Sequence, residues 1–204
     1  MKHVLIILLL VVSMAGFAQV DERKNATYFS KGIECKYKED VQGAITNFEK
    51  ALKFMPDDAA SMFELSEQYV KAGRLEDGFA MSKKAAELDP DNKWYQMRLA
   101  LFYRNMEQYD EFIKIYESLT AKYPGDVNML SDLIDVYLQT KDYDKVLEKL
   151  VILEKQVGVN TRYYHVLANA YMEEGKEKKA IKLYEKIKEI DPNDPYINIS
   201  MRWV

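Results

Sequence analysis

Apolar residues recur along the chain at spacings of three and four, and the whole pattern returns every 34 residues. Two apolar stripes fall in each period, which predicts two amphipathic helices per unit. Pro56, Pro90, Pro124 and Pro192 lie on this grid, and Gly158 occupies the remaining place. Periods of this length are typical of proteins whose neighbouring units share a core. The sequence therefore predicts five helix–turn–helix repeats, at residues 25–58, 59–92, 93–126, 127–160 and 161–194.

Single positions of the grid predict how the repeats pack. The eleventh position holds a tyrosine in four repeats, which predicts large buried rings whose hydroxyl groups need a partner; these are Tyr69, Tyr103, Tyr137 and Tyr171. The last position is always Asp or Asn, which predicts a side-chain N-cap for the next helix. The residues concerned are Asp58, Asn92, Asp126, Asn160 and Asp194.

The fifteenth position marks the turn between the two helices of each repeat. Gly73 and Gly175 mark it in two repeats. Glu39, Glu107 and Lys141 stand in the equivalent places of the other repeats.

These positions resemble the tetratricopeptide repeat, with its aromatic–Leu–small–aromatic first helix and its Ala–aromatic–Ala–Pro second helix. The fifth repeat carries the resemblance best, through Tyr164, Leu167, Ala168, Tyr171, Gly175, Ala180, Tyr184 and Pro192. The resemblance implies an all-α, right-handed solenoid that binds other proteins. Repeat one departs from the pattern at Lys31 and Cys35, where an apolar and an aromatic residue are expected, so we expect it to pack least well.

Residues 1–18 have the three-part pattern of a secretory signal peptide. Lys2 and His3 precede an apolar run, and small residues lead to Ala18. The apolar stretch is shorter than the roughly 20 residues that span a bilayer, which makes an uncleaved anchor the weaker alternative. We expect cleavage between Ala18 and Gln19, export to the periplasm or outside the cell, and no stable membrane insertion afterwards. Residues 19–24 then form a short linker. The Gly-Phe-Ala-Gln ending resembles secreted repeat proteins of the Bacteroidetes type.

The last ten residues, 195–204, have the sequence of an opening sixth helix. Met201, Trp203 and Val204 would lie on an edge that no second helix covers. Three explanations stay open: the chain is part of a longer protein, the short helix packs back on repeat five, or the edge is a surface for self-association.

Composition narrows the class of function. The chain has 29 basic and 33 acidic side chains, a net charge of −4, and no basic stripe of the kind that nucleic-acid binders show. One Cys and two His predict neither a disulfide nor a metal site, and we expect no cofactor.

Candidate catalytic chemistry is sparse. The sequence lacks a glycine-rich phosphate loop, a CxxC pair, an HExxH motif and a nucleophile elbow. His165 is either a general base or a polar lining residue, and Cys35 is either a reactive thiol or a buried inert one. We expect the polar lining role for His165 and the inert role for Cys35, and therefore no enzyme.

The resemblance implies that the first helices line a concave groove. The groove positions read from the grid are Phe29, Ile33, Phe63, Glu67, Trp94, Met97, Leu101, Arg104, Asn105, Asp135, Arg162, His165 and Asn169. Aromatic side chains beside an arginine have the character of an interface hot spot. Phe63 is expected to be exposed, whereas Met97 and Leu101 either contact a partner or pack between repeats. The predicted function is an exported scaffold that binds a peptide or helix of another protein, with self-association through the C-terminal edge as the alternative.

Overall fold

The computed structural model describes residues 2–158 and 161–195, with side chains for residues 19–158 and 161–195. Every regular element within these residues is an α-helix. In chain order they are α1 (Lys2–Tyr37), α2 (Val41–Phe54), α3 (Ala59–Lys71), α4 (Leu75–Leu88), α5 (Lys93–Asn105), α6 (Tyr109–Lys122), α7 (Val127–Gln139), α8 (Tyr143–Val157), α9 (Thr161–Glu173) and α10 (Glu177–Ile190). Within the described residues, the number and order of these helices match the two helices per repeat predicted from the sequence. The predicted sixth helix lies outside the described residues.

The turns that the grid predicted inside the repeats share one backbone geometry. Gly73 and Gly175 have φ angles of 77° and 70°, and Glu39, Glu107 and Lys141 have φ angles of 58°, 58° and 60°. A side chain with a Cβ costs roughly 1–2 kcal/mol in this left-handed region. The 34-residue register is therefore visible in the backbone even where glycine is absent.

The N-cap prediction is confirmed at two positions and wrong at a third. The side chains of Asn92 and Asp126 accept hydrogen bonds from backbone N–H groups in the first turns of α5 and α7. Asp58 stands at the N-cap of α3 but accepts no such bond. Its carboxylate is occupied instead by the Ser61 hydroxyl and by the Asn25 amide, which lies 3.0 Å away. Because these two side-chain donors use the Asp58 carboxylate, it does not cap the backbone of α3.

The chain divides into two compact units, residues 1–106 and 107–204. In the first unit each helix from α1 to α4 packs against the next one. A core cluster joins α2 and α3 through Ala44, Ile45, Phe48, Leu65 and Tyr69. Repeat one thus contributes Ala44, Ile45 and Phe48 to a packed core that it shares with repeat two.

A close helix approach explains how repeat one achieves this packing. A Cβ added to Gly32 would lie 2.5 Å from Cε1 of Phe48, so only glycine lets α1 approach the Phe48 ring this closely. Lys31 is exposed, away from this contact, and Cys35 is half-buried. The two unusual residues therefore do not open the core.

The second unit has its own packed interior. The Phe112 and Tyr116 rings, both fully buried on α6, stack at a centroid distance of 4.1 Å. Tyr137 on α7 and Tyr171 on α9 are also buried, as predicted for the eleventh position, and so is Tyr69 in the first unit. Tyr103 differs because it is half-buried.

Residues 19–24 are helical and belong to α1, so they are not the linker predicted from the sequence. The segment contains neither Gly nor Pro, and its charged residues are compatible with a helix that simply continues into repeat one. Among the residues that the structure describes, no helix is long and apolar enough to cross a membrane.

Candidate functional site

A groove of about 630 Å³ opens in the first unit where the end of α3, the start of α4 and the end of α5 meet. Its apolar wall consists of Val70, Leu75, Phe79, Leu101, Phe102 and Met106. Three of these side chains are largely open to solvent, since Val70, Leu75 and Met106 are 39%, 56% and 41% exposed. A concave, mainly apolar surface of this size is the usual form of a binding site.

Helix ends explain why apolar side chains stay uncovered here. Leu75 is the first residue of α4 and Met106 is the C-cap of α5, where no further turn of helix can shield them. The wall behind them is fixed, because the Phe79 ring meets the edge of the Phe102 ring at 5.9 Å. Gly78 permits this contact, since a Cβ there would lie 3.3 Å from the Phe102 ring.

The polar side of the groove centres on the carboxylate of Glu67. Its oxygens lie 2.9 Å from Lys71 Nζ, 3.0 Å from Lys36 Nζ and 3.4 Å from Arg98 Nη2. Lys36 also bonds Glu64 at 2.7 Å. Cations from α1, α3 and α5 thus converge on one carboxylate and hold the first helices of three repeats in register.

This arrangement keeps Glu67 ionised. Burial alone would raise the pKa of Glu67, but hydrogen bonds from Lys71 and Lys36 outweigh it and lower the pKa to about 2. The carboxylate therefore stays charged, and its three cationic neighbours are engaged by it.

Phe63 is half-buried, and our expectation of an exposed side chain is wrong. Its ring lies between the Tyr95 ring, at a centroid distance of 5.0 Å, and the Arg98 guanidinium, at 4.4 Å. Contacts with aromatic rings and with arginine both favour this packed position. Phe63 therefore supports Arg98 beside the groove and does not line it.

Phe29 and Ile33 were also predicted as groove contacts, but both pack against the core cluster of repeat one. The Phe29 ring lies 5.7 Å from the Phe48 ring. Both residues lie on α1 and are half-buried against this cluster.

The remaining predicted residues of the first unit differ in their surroundings. Glu67, Leu101 and Asn105 line the groove together. Trp94 is 61% exposed at the start of α5, outside the groove lining. Met97 and Arg104 are half-buried and do not line it. Leu101, for which the sequence left open contact with a partner or packing between repeats, is half-buried in the groove wall.

In the second unit, Asp135, Arg162 and Asn169 are exposed. The Asn169 side-chain oxygen accepts a hydrogen bond of 2.7 Å from the Tyr184 hydroxyl. His165 Nε2 lies 2.9 Å from a carboxylate oxygen of Asp194, a side chain that is only 6% exposed. His165, expected from the sequence to be a polar lining residue, thus has a buried carboxylate as its partner.

Several residues that line the groove were not predicted from the sequence. Leu75 and Phe79 belong to a second helix, whereas only first-helix positions were considered. Met106 follows the last helical residue of α5 and lies outside the helical pattern altogether. The available signal was an apolar residue directly after the Gly73-Arg74 turn, where a polar residue is usual in a solvated helix start.

Other chemistry is limited among the described residues. No group of three His, Cys, Asp or Glu residues there has the arrangement of a metal site. The Cys35 sulfur accepts a hydrogen bond of 3.7 Å from the Asn47 amide, and the side chain is half-buried.

Comparison with known families identifies the class of protein. A tetratricopeptide repeat profile matches residues 55–201, well over half of the chain. The chain therefore belongs to the tetratricopeptide repeat family, which mediates protein–protein interactions. The fold class predicted from the sequence, an all-α solenoid of helix pairs, is confirmed.

Solved structures share this fold. A crystal structure of MamA superimposes with a TM-score of 0.68 at 22% identity, over 82% of this chain and 92% of MamA. A structure of YrrB, described as a tetratricopeptide repeat protein with an unusual peptide-binding site, superimposes with a TM-score of 0.69 at 15% identity. That match covers 92% of this chain and 98% of YrrB.

Curated relatives are longer than this chain. The repeat-containing protein YpiA of Bacillus subtilis is 25% identical over 155 residues, which are 76% of this chain and 37% of YpiA. The NatB auxiliary subunit of Rattus norvegicus, N-alpha-acetyltransferase 25, is 26% identical over 103 residues. Those residues are 50% of this chain and 11% of the subunit. The chain thus spans less than half the length of either relative.

Proposed function

We propose that this protein is an exported, non-enzymatic scaffold that binds a peptide or helical segment of another protein in the groove of its first unit. The observation that carries the proposal is the uncovered apolar wall at Val70, Leu75 and Met106 beside the Glu67 ion-pair cluster. Soluble domains rarely leave contiguous apolar side chains open to water without an interaction to cover them.

The groove is suited to binding because its walls are already formed. The Glu67 cluster and the contact between the Phe79 and Phe102 rings fix the helices on either side, so little ordering is needed when a segment docks. Burial of the apolar wall supplies affinity, and the charges at its rim orient the partner.

The comparisons support a binding role without specifying its partner. YrrB is described as having a peptide-binding site, and the NatB relative is an auxiliary subunit. A peptide-binding repeat protein and an auxiliary subunit are both consistent with a binding function for this chain.

Export is proposed from the N-terminal sequence alone. The pattern over residues 1–18 predicts removal of a signal peptide before Gln19. The placement outside the cytoplasm and the similarity to secreted Bacteroidetes-type proteins rest on the same observation.

Photo-crosslinking in cells of the source organism tests the proposal. A photoreactive amino acid at Asn105, which is exposed in the groove, is expected to capture a protein partner. The matched control is the same group at Lys84, exposed farther along α4 and outside the groove, and it should not capture that partner. Mass spectrometry of the recovered chain should show an N-terminus at Gln19.

Three results would contradict parts of the proposal. Equal capture from both positions removes the groove as the binding site. Crosslinks between copies of the chain favour self-association, the alternative drawn from the C-terminal residues 196–204, which lie outside the described part. An intact Met1 in the recovered chain contradicts export by cleavage.

A further inference from the structure

The charged side chains that line the groove differ in whether they have an ion-pair partner. Lys71 and Arg98, the two cations that line it, both pair with Glu67. Glu76 also lines the groove, from the first turn of α4, and is exposed. Within the described residues it has neither an ion-pair nor a side-chain hydrogen-bond partner.

The neighbours of Glu76 leave it available to a ligand. Arg74, the nearest cation in sequence, donates to Asp77 at 2.7 Å and stacks on the Tyr69 ring at 4.1 Å. The flanking residue Leu75 offers an exposed apolar side chain. One open carboxylate therefore stands directly beside an open apolar wall.

We propose that the groove selects a segment that combines apolar side chains with a lysine or arginine, whose cationic group pairs with Glu76. This inference rests on the proposed peptide-binding function and specifies the chemistry of its ligand. The apolar side chains cover Val70, Leu75 and Met106, and the cation complements the carboxylate that no residue of the described chain neutralises. An acidic segment would instead meet cations already engaged by Glu67 and would be repelled by Glu76.

We expect the ion pair with Glu76 to contribute more to the selectivity among peptides than to binding affinity. An ion pair at a solvent-exposed rim contributes modestly, because water screens it. Reversing a rim charge changes an attraction into a repulsion, so the effect on affinity is about tenfold. Removing the apolar wall should abolish detectable binding.

Selection from a displayed random-peptide library tests the inference on the purified chain. Peptides enriched on the wild-type protein should combine apolar residues with Lys or Arg. Glu76→Lys should enrich acidic peptides instead and should weaken the best wild-type peptide about tenfold in fluorescence anisotropy. Asp110→Lys is the matched control, since Asp110 is exposed at the same repeat position in the first turn of α6 and should change neither result.

A second variant separates failure of the inference from failure of the proposed function. Leu75→Gln with Met106→Gln removes apolar surface at two exposed positions, so the fold should be retained, as circular dichroism would verify. Peptides that need this wall but show no basic preference, or ignore Glu76→Lys, overturn the inference and leave the peptide-binding function in place. Peptides that bind the double variant equally well, or no enrichment at all, contradict both.

Discussion

Replacing Tyr137 with alanine is expected to lower the free energy of unfolding of the second unit by about 3–5 kcal/mol, as other large-to-small changes of buried aromatics do. Tyr137 is only 3% exposed, so truncation leaves a cavity between α7 and its neighbours. The hydroxyl also donates a hydrogen bond to Glu117 on α6, and Glu117 accepts a second bond of 2.8 Å from Lys149 on α8. One side chain thus contributes to contacts among three helices.

Urea denaturation followed by circular dichroism measures this change. Tyr137→Phe keeps the ring and removes only the hydroxyl, so we expect a smaller loss of about 1 kcal/mol. Tyr37→Ala is the exposed control, because Tyr37 is 85% open to solvent, and it should leave the midpoint unchanged. A loss below about 1 kcal/mol for Tyr137→Ala would show that the eleventh position is not a core position and that the register is wrong.

Raising the pH from 9 to 12 is expected to remove about 2–3 kcal/mol of stability through Tyr69 alone. Burial, and then the hydrogen bond of 2.8 Å to Glu49, raise the pKa of Tyr69 from 10 to about 12. Because folding raises this pKa, the protonated hydroxyl stabilises the fold fully below pH 10. That contribution is lost as the pH rises to about 12.

Denaturation curves of wild type and Tyr69→Phe at both pH values isolate this contribution. At pH 9 the variant should be about 1 kcal/mol less stable, since it lacks the bond to Glu49. At pH 12 the difference should vanish or reverse, because phenylalanine cannot ionise. Tyr37→Phe removes an exposed hydroxyl, and its free energy of unfolding should change between the two pH values by the same amount as that of wild type. If Tyr69→Phe also loses stability with pH as wild type does, the result would contradict the hydrogen bond between buried Tyr69 and Glu49.

The repeat register could be predicted because equivalent positions of the repeats have the same backbone geometry. Glu107 and Lys141 carry no glycine signal of their own, yet their place on the grid predicted a turn there, and both have the positive φ angles that Gly73 and Gly175 show. Asp58 shows the limit of this reasoning. Its position at the N-cap followed from the grid, but its bonding depends on Asn25, a residue 33 positions away that competes for the carboxylate.

The sequence predicted only some of the residues that line the groove. The exposure of the others depends on where helices end in the folded chain, since a helix end leaves nearby side chains uncovered. Leu101 and Asn105 follow the first-helix positions and were found. Phe63 follows the same rule but is covered by Tyr95 and Arg98, side chains that approach it only in the folded chain. Leu75 follows a turn, so helical periodicity says little about its burial.

The most direct test of peptide binding in the groove is a chemical-shift map of the ¹⁵N-labelled chain titrated with the best peptide from the library selection. We predict that the shifted amides cluster at residues 70–79 and 98–106, the segments that form the groove, and that Leu75→Gln with Met106→Gln abolishes these shifts. Shifts confined to α2 or to the second unit, or shifts that persist in the double variant, would contradict a binding site in the groove.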